Sequence, residues 1–395
     1  MKEPQELAAA AAGAVDEERL VRLTRELVAI RSVYEEGAEG ANESEVAHFI
    51  ARTLRDSGFE VTVEEAAPGR PNVIADWSGA GFDEGRHRTL MFEGHTDVVT
   101  EGDPASWTYP PFAAVLEEGR IYGRGSADRK GGVAAAIVAA EAVRSAAPDL
   151  PGRIRLGIVV DEEGMMTGIK DFIRRGWADD VDAAIVCEPE ENELCLFQKG
   201  ALRVSVTFRG VMSHGAMPYA GVNAVPALAR FVTLVGEYQA QEQERLGEHE
   251  HLGLPWLTPT VIRSPREGEQ QLNVMPETAW VALDIRTVPG QEHSDIVARL
   301  EELAREAAAT HQNPSAELQV IEERPWTQTA EDEPVVKALE RAHAQLGREP
   351  LYGGVPGATD GTFLHAWAEV PVVTVGPVRA ASPPRGHFWV PQHKQ

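Results

Sequence analysis

Three apolar, strand-like segments of the chain are each followed at once by side chains that can bind a metal ion. The segments and the polar residues after them are 89–94 with His95 and Asp97, 154–160 with Asp161, Glu162 and Glu163, and 183–186 with Glu188. Because the carboxyl ends of parallel strands form the open crevice of an α/β sheet, we expect these side chains to converge. Imidazole and carboxylate groups are the ligands of hydrolytic metal sites. The pattern therefore favours an α/β sheet whose strand ends carry a metal centre.

A further acidic residue, Asp128, lies inside the glycine-rich segment 123–132. Glycines allow the backbone to turn sharply beside a site, and a carboxylate can give one oxygen to each of two cations. A phosphate-binding loop is the alternative reading of such a segment. It is disfavoured because Lys130 is followed by glycine, not by the serine or threonine of a Walker motif. Asp128 thus completes a ligand set for two divalent cations.

Each of these motifs is a weak signal when it is taken alone. A short His-x-Asp pair or an adjacent pair of glutamates is most often a solvated surface turn. If Glu162 and Glu163 lie on an extended segment, they point in opposite directions, so one could bind an ion while the other acts as general base. However, several acidic sites follow successive strands or turns whose ends would face the same crevice. This recurrence favours one shared metal site.

The composition excludes several classes of function. A formal net charge of -25 argues against nucleic acid or an anionic membrane surface as a partner. No apolar run is long enough to span a bilayer. Cys187 and Cys195 are the only cysteines, so no disulfide framework is expected and a reducing cytoplasm is the natural compartment. The alanine-rich start, residues 1–15, makes a poor signal peptide and is interpreted as a frayed lead-in to the first helix.

Hydrophobic periodicity divides the chain of 395 residues into about two domains. Helix and strand patterns alternate up to about residue 200, as in an α/β domain. Beyond it, strand patterns at 202–208, 278–285 and 317–321 and helix patterns at 223–240 and 293–310 predict a compact α+β insertion. The resulting division is a catalytic domain at 1–200, an inserted domain at 201–325, and a second catalytic part at 326–395.

Four stretches carry a specific resemblance: Gly94–Val99, Trp107 with Pro111-Phe112, Tyr122–Gly132 and Asp161–Gly164. Together they resemble the dinuclear zinc hydrolase family that includes acetylornithine deacetylase, succinyl-diaminopimelate desuccinylase, aminoacylase and carboxypeptidase G. The resemblance covers nearly the whole chain. It implies a zinc-peptidase-like α/β catalytic domain, with a mixed, mostly parallel sheet flanked by helices, and an inserted ferredoxin-like α+β lid and dimerisation domain.

Carried over residue by residue, the resemblance implies a full set of site residues. The implied roles are His95 and Glu188 binding one ion, Glu163 the other, Asp128 bridging both, Glu162 as general base and Asp97 orienting His95. The Asp128-Arg129 peptide is expected to be cis. The last ligand is expected after Gly376-Pro377, where the spacing is a few residues longer than the family pattern. His387 is the choice and His393 the rival, and if neither binds, the second ion would be weak or missing.

The resemblance also assigns the inserted domain a role in substrate binding. His214 would reach the site of a partner subunit and stabilise the oxyanion, and Asn273 and Arg286 would grip a substrate carboxylate. Arginine suits this task because its planar fork can hold a carboxylate with two hydrogen bonds. The backbone of the loop with Gly357 and Thr359 would meet the same carboxylate. Without the family context, each residue could equally be an ordinary surface residue.

These expectations together predict a metal-dependent hydrolase that cleaves the amide bond of an N-acyl amino acid. A water between two divalent ions would attack, with Glu162 as general base; zinc is the expected metal, with cobalt or manganese as alternatives. The expected partners are a small-molecule carboxylate substrate and a second subunit bound through the lid. The alternatives are a dipeptidase or carboxypeptidase of the same family, or a catalytically weakened binding relative. Glu188 argues against an aminopeptidase, since those relatives tend to carry aspartate there, and the acyl group cannot be read from the sequence.

Overall fold

The structure is a computed structural model that describes residues 4–38, 40–309 and 313–377. Its chain divides into two compact units. Unit 1 holds the described residues up to Leu196, Thr329–Gly353 and those from Thr359 onward, and unit 2 holds Phe197–Gln328 and Gly354–Ala358. The boundaries expected at residues 200 and 325 stay a prediction about which segments fold independently.

The helices are α1 (Pro4–Gly13), α2 (Glu17–Ala29), α3 (Ser44–Asp56), α4 (Lys130–Ala146), α5 (Thr167–Arg174), α6 (Val225–Leu246), α7 (His293–Ala308), α8 (Pro334–Gln345) and α9 (Gly361–Ala368). The strands up to the first unit boundary are β1 (Glu60–Ala67), β2 (Arg70–Ser78), β3 (Arg88–His95), β4 (Val115–Glu117), β5 (Arg120–Tyr122), β6 (Gly152–Val159), β7 (Ala183–Val186) and β8 (Leu194–Gln198). The later strands are β9 (Gly200–Arg209), β10 (Ser213–His214), β11 (Trp256–Arg263), β12 (Val274–Met275), β13 (Thr278–Thr287), β14 (Ser315–Arg324), β15 (Thr327–Gln328), β16 (Tyr352–Val355) and β17 (Val372–Thr374).

The sheet of unit 1 has the order β1-β2-β6-β3-β7-β17-β8. Its centre is parallel, because β3 pairs in parallel with β6 and β7, and β17 pairs in parallel with β7. Its flanks are antiparallel. The helix α4 connects β3 to β6, and α5 connects β6 to β7, which is the crossover arrangement that a parallel sheet requires. The carboxyl ends of β3, β6 and β7 consequently lie at the same edge.

Close helix-to-strand packing holds α4 at that edge. A Cβ added to Gly132 would lie 2.3 Å from the carbonyl oxygen of Cys187, just after β7, and one added to Gly94 on β3 would lie 2.7 Å from Val133 Cγ2. A side chain at Gly132 would require the two backbones to separate, and one at Gly94 would displace the side chain of Val133. The glycines of 123–132 therefore act mainly through close approach; Gly125 alone among them has a positive φ, of 81°.

Unit 2 is built on the antiparallel sheet β11-β13-β9-β14. Buried and half-buried residues alternate along β13, so one face of the strand is covered and the other faces outward. The buried side chains Leu283 and Ile285 pack with Phe231 of α6 and Leu300 of α7 in one apolar core. A separate two-stranded ribbon joins β10 to β12. The α/β fold class and the α+β character of the insertion agree with expectation.

Three local expectations need correction. Residues 4–13 form the helix α1, not a frayed lead-in, because their alanine-rich composition has high helix propensity. The strand β11 was not anticipated, since Pro259 interrupts its pattern and its register shifts there. Glu162 and Glu163 lie in a turn and not on an extended segment, because Asp161 adopts a φ of +70° directly after the strand.

Candidate metal centre

His95 is the last residue of β3 and is fully buried. Its Nδ1 lies 2.9 Å from the backbone carbonyl oxygen of Asp97, which can only accept, so Nδ1 carries a proton. In a neutral imidazole the other nitrogen, Nε2, then has a free lone pair. Within the described residues Nε2 has no hydrogen-bond partner, although it lies 3.4 Å from Asp128 Oδ1 and 3.8 Å from Glu162 Oε2. Nε2 is thus directed toward carboxylates, and in the neutral ring it is the nitrogen whose lone pair can bind a cation.

Ligand atoms of His95, Asp128 and Glu188 all lie within 4.8 Å of one another. These residues come from the ends of β3 and β7 and from the segment before α4, so the sheet edge brings together side chains that are far apart in sequence. The Asp128-Arg129 peptide is cis, as expected. Such a cluster of one imidazole and two carboxylates can bind a divalent cation.

Asp97 is buried and acts mainly on the neighbouring turn. Its carboxylate accepts hydrogen bonds from the amides of Glu162, at 3.2 Å, and Glu163, at 3.0 Å. Burial favours the neutral acid, but the His95 imidazole and these amides outweigh it and lower the pKa of Asp97 to about 2. His95 Nδ1 lies closer to the backbone carbonyl oxygen of Asp97, at 2.9 Å, than to its carboxylate, at 3.4 Å. Asp97 therefore links the position of His95 to that of both glutamates.

A second ion-pair network supports the turn from the opposite side. Asp161 accepts hydrogen bonds from the amides of Met165 and Thr167 and lies 2.9 Å from the guanidinium of Arg70. Arg70 also pairs with the buried Glu43. These contacts fix the backbone conformation that presents Glu162.

Burial and mutual repulsion raise the pKa of three carboxyl groups in the cluster. Burial is the main cause for each: it raises the pKa of Glu188 to about 7, of Glu162 to about 8 and of Glu163 to about 9, with Asp128 adding to the shift at all three. At His95 burial and the nearby guanidinium of Arg129 favour the neutral ring, yet Asp97 and Asp128 outweigh them and the pKa of the imidazole rises. Both observations describe a strongly negative potential. A cation bound among these groups would relieve it, so the donor set fits a metal ion.

Sequence reasoning missed the buried cations and acids beneath the cluster. Arg129 is fully buried and donates to Glu188 and to Glu93, another fully buried residue. Asp360 is also fully buried, and burial raises the pKa of its carboxyl well above the usual range. The sequence held one usable signal: Glu93 lies two residues before His95 in a buried strand and so shares its face.

The substrate-binding residues expected in the insertion lie on separate elements of unit 2. His214 ends β10 and Asn273 directly precedes β12, and at this end of the two-stranded ribbon the amide of Gly215 donates to the carbonyl of Asn273 at 2.7 Å. Both side chains are exposed, and His214 Nδ1 accepts from the amide of Ala216 at 3.0 Å.

Arg286 lies on the outward face of β13 and is half-buried. Its guanidinium donates from Nε and Nη2 to the carboxylate of Asp284, at 2.6 and 3.2 Å. The guanidinium group of Arg286 is therefore already oriented by a carboxylate on the same strand.

The remaining expected residues lie near the C-terminal part of the chain. Thr359 is buried, and its hydroxyl accepts from the amide of Gly361 at 3.2 Å, whereas a Cβ on Gly357 would meet no atom within 4 Å. His387 and His393 lie outside the described residues, so the choice between them stays a prediction.

An α/β sheet with a parallel centre, and with imidazole and carboxylates gathered at its strand ends, is typical of metal-binding hydrolases. Residues 91–394 match Peptidase family M20/M25/M40. The chain belongs to this family, and it is a metal-dependent hydrolytic enzyme. The resemblance, the fold class and the enzyme class expected from the sequence are confirmed.

Individual relatives agree with this assignment. The succinyl-diaminopimelate desuccinylase of Cereibacter sphaeroides (strain ATCC 17029 / ATH 2.4.9) is 32% identical over 366 residues, which cover 90% of each chain. The structure of aminopeptidase PepT from Bacillus cereus ATCC 10987 matches with a TM-score of 0.72 at 21% identity, covering 92% of this chain and 91% of that one. The Bacillus subtilis YXEP protein, described as a dinuclear metal-binding peptidase of family M20, matches at 0.66 and 16% identity, covering 94% and 91%. The two structures show the shared fold.

Across the described parts of the chain, no helix has both the length and the apolar character needed to cross a bilayer.

Proposed function

We propose that the protein hydrolyses the amide bond of N-acyl amino acids, with N-succinyl compounds as the first class to test. The observation that carries the proposal is the convergence of His95, Asp128 and Glu188 within 4.8 Å at the edge of the sheet. The name of the relative from Cereibacter sphaeroides supports the choice of acyl group.

The cluster would hold two divalent ions, with zinc as the first choice and cobalt or manganese as alternatives. His95 and Glu188 would bind one ion, Glu163 and His387 the other, and Asp128 both. The raised pKa values of Glu163 and Glu188 support this assignment, because a cation favours the ionised form that each buried carboxyl otherwise resists. Bound divalent ions supply Lewis acidity, which polarises a carbonyl and makes water easier to deprotonate.

Glu162 would move the proton. Burial and the neighbouring carboxylates Glu188 and Asp128 raise the pKa of Glu162 to about 8 in the metal-free protein, so its carboxylate is a stronger base than an exposed glutamate. Bound cations would lower this pKa toward the range in which the group is ionised at neutral pH and can accept a proton. Glu162 accepts a proton from the attacking water on a carboxylate oxygen. It then returns the same proton to the departing amide nitrogen, which leaves as an amine, while the acyl carbon keeps the water oxygen as a carboxylic acid.

Arg286, Asn273 and the loop with Gly357 and Thr359 would bind the substrate carboxylate. The contact between Arg286 and Asp284 supports this role, since it fixes the plane of the guanidinium through Nε and Nη2, while Nη1 takes no part in the pair. Charge-assisted hydrogen bonds of this kind contribute about 1.5–3 kcal/mol each. A substrate without a carboxylate would lose that contribution.

His214 would act in the site of a second subunit, which makes the protein a homodimer joined through unit 2. Its exposure supports a role toward another molecule, and Asn273 lies next to the ribbon that carries it, directly before β12. The two buried thiols, Cys187 and Cys195, support a reducing compartment such as the cytoplasm.

A substrate screen tests the proposal. Purified protein is stripped with a chelator, reloaded with zinc, cobalt or manganese, and assayed with N-succinyl, N-acetyl and N-aroyl amino acids and with dipeptides. We expect metal-dependent release of the free amino acid from N-acyl compounds and a loss of at least about tenfold when the substrate carboxylate is amidated. Preferential cleavage of dipeptides would show that the protein is a peptidase and not a deacylase. Binding of metal without turnover of any class would favour a non-catalytic relative.

A further inference from the structure

Arg129 joins two carboxylates beneath the metal cluster. Its Nη1 donates to Glu188 Oε1 at 2.6 Å and its Nη2 to Glu93 Oε1 at 2.5 Å, and the residue is fully buried. The two acceptors come from neighbouring strands, because Glu93 lies on β3 and Glu188 follows β7. One planar guanidinium therefore spans the two strand ends that the cluster is built on.

The arrangement adds little net charge to the cluster. A buried guanidinium without a counter-charge would repel a cation bound nearby, but Glu93, fully buried, supplies that counter-charge. Glu188 is thus left with one oxygen engaged in a short, charge-assisted hydrogen bond and the other oxygen available. Arg129 still attracts the carboxylates of the cluster, and it also fixes the geometry of Glu188.

We infer that Arg129 is a positioning residue that fixes the carboxylate of Glu188 as a one-oxygen ligand, with Glu93 holding the guanidinium in place. The inference rests on the proposed metal centre and adds a residue outside its ligand set. Partners that hydrogen-bond to metal-ligating groups typically change metal affinity by about 10- to 100-fold when they are removed. The loss of affinity should affect the metal ion that His95 and Glu188 would bind.

Two substitutions separate geometry from charge. Arg129→Lys keeps the positive charge, but a single ammonium cannot span Glu93 and Glu188 as the planar fork does. Arg129→Met combined with Glu93→Gln removes the guanidinium together with the counter-charge of Glu93, so the net charge beside Glu188 stays the same. Arg155→Lys is the matched control, since Arg155 is a buried arginine of the same sheet that pairs with Asp76 and Asp180.

The readouts are zinc affinity, by competition with a chromophoric chelator, and the visible absorption of the cobalt-loaded protein, which reports ligand geometry. We expect Arg129→Lys and the double variant to bind one of two zinc ions about 10- to 100-fold more weakly and to show an altered cobalt spectrum. Arg155→Lys should match the wild type in both readouts. Circular dichroism checks folding, and if the double variant does not fold, Arg129→Lys decides the question.

Wild-type affinity and an unchanged cobalt spectrum in folded Arg129→Lys would overturn the inference while leaving the metal centre intact. A wild-type protein that binds no zinc would overturn the metal centre and this inference together.

Discussion

The two groups of candidate residues differ in how much of their environment one chain supplies. The cluster around His95 is buried, and its members hydrogen-bond or repel one another within unit 1. His214, Asn273 and Arg286 of unit 2 are exposed or half-buried, and the side chains of His214 and Arg286 make their contacts with residues two positions away in sequence. A metal centre must be assembled before the ion arrives, whereas residues that recognise a substrate or serve a second subunit must stay accessible. We therefore expect substitutions in the first group to change the chemical step and metal binding. Substitutions in the second group should change substrate binding and the contribution of a second subunit.

The largest effect is expected from Glu162→Gln. The amide is nearly isosteric but cannot accept the proton, and general acid–base catalysis contributes about 100- to 10,000-fold. We expect the hydrolysis rate, kcat, to fall by that factor while the content of bound zinc is unchanged. Glu45→Gln, an exposed position on α3, is the control and should behave as wild type. Turnover retained by Glu162→Gln would remove this residue as the base.

A smaller loss of about 100- to 1,000-fold in kcat is expected for His214→Ala, since that is the usual contribution of one oxyanion donor. Mixing the Glu162→Gln and His214→Ala proteins then distinguishes a role within one chain from a role across a dimer. If His214 serves its partner, each mixed dimer has one intact site. Activity should rise after the subunits exchange; no recovery despite demonstrated exchange would place His214 in its own subunit's site or outside catalysis.

Arg286→Ala should have a still smaller effect, confined to substrates with a free carboxylate. Loss of one or two charge-assisted hydrogen bonds predicts a rise in KM of about 10- to 100-fold, with kcat changed less. Arg209→Gln is the control, since Arg209 is an exposed arginine on β9 of the same sheet. An equal loss for amidated substrates would show that Arg286 does not recognise the carboxylate.

The smallest effect concerns the stability of the metal-free protein. Burial raises the pKa of Glu162 from its ordinary value of 4.5 to about 8, so between these values the folded chain binds more protons than the unfolded chain. The stability contributed by this group is therefore present below about pH 4.5 and lost as pH rises toward 8. Calorimetric melting at pH 5 to 8 should show a steeper decline for the wild type than for Glu162→Gln, and saturating zinc should reduce the difference. If the melting temperatures of the metal-free wild type and Glu162→Gln fall equally with pH, the raised pKa of Glu162 is contradicted.

The sequence predicted the parts of the site that local pattern determines. His95, Glu162 and Glu188 follow apolar strands, and strand periodicity with the rule for parallel sheets is enough to place them at one edge. The turn at Glu162 was not predictable in detail, because the left-handed conformation of Asp161 is stabilised by Arg70, which lies on a different strand.

Strand periodicity could have placed Glu93 on the same face as His95, but the contacts of Glu93 and Arg129 beneath the cluster could not be predicted from the sequence. Arg129 and Glu93 are 36 positions apart and pair only because α4 begins beside β3. No spacing rule relates such residues, and an isolated Glu or Arg is ordinarily a surface residue. Tertiary packing, which periodicity does not report, decides where these charges lie.

Anomalous diffraction from crystals of the protein grown with zinc tests the central account most directly. We expect two peaks at the carboxyl edge of the unit 1 sheet, with His95 and Glu188 at one, Glu163 at the other and Asp128 between them. A single peak, or peaks bound by other residues, would contradict a centre built on these four side chains.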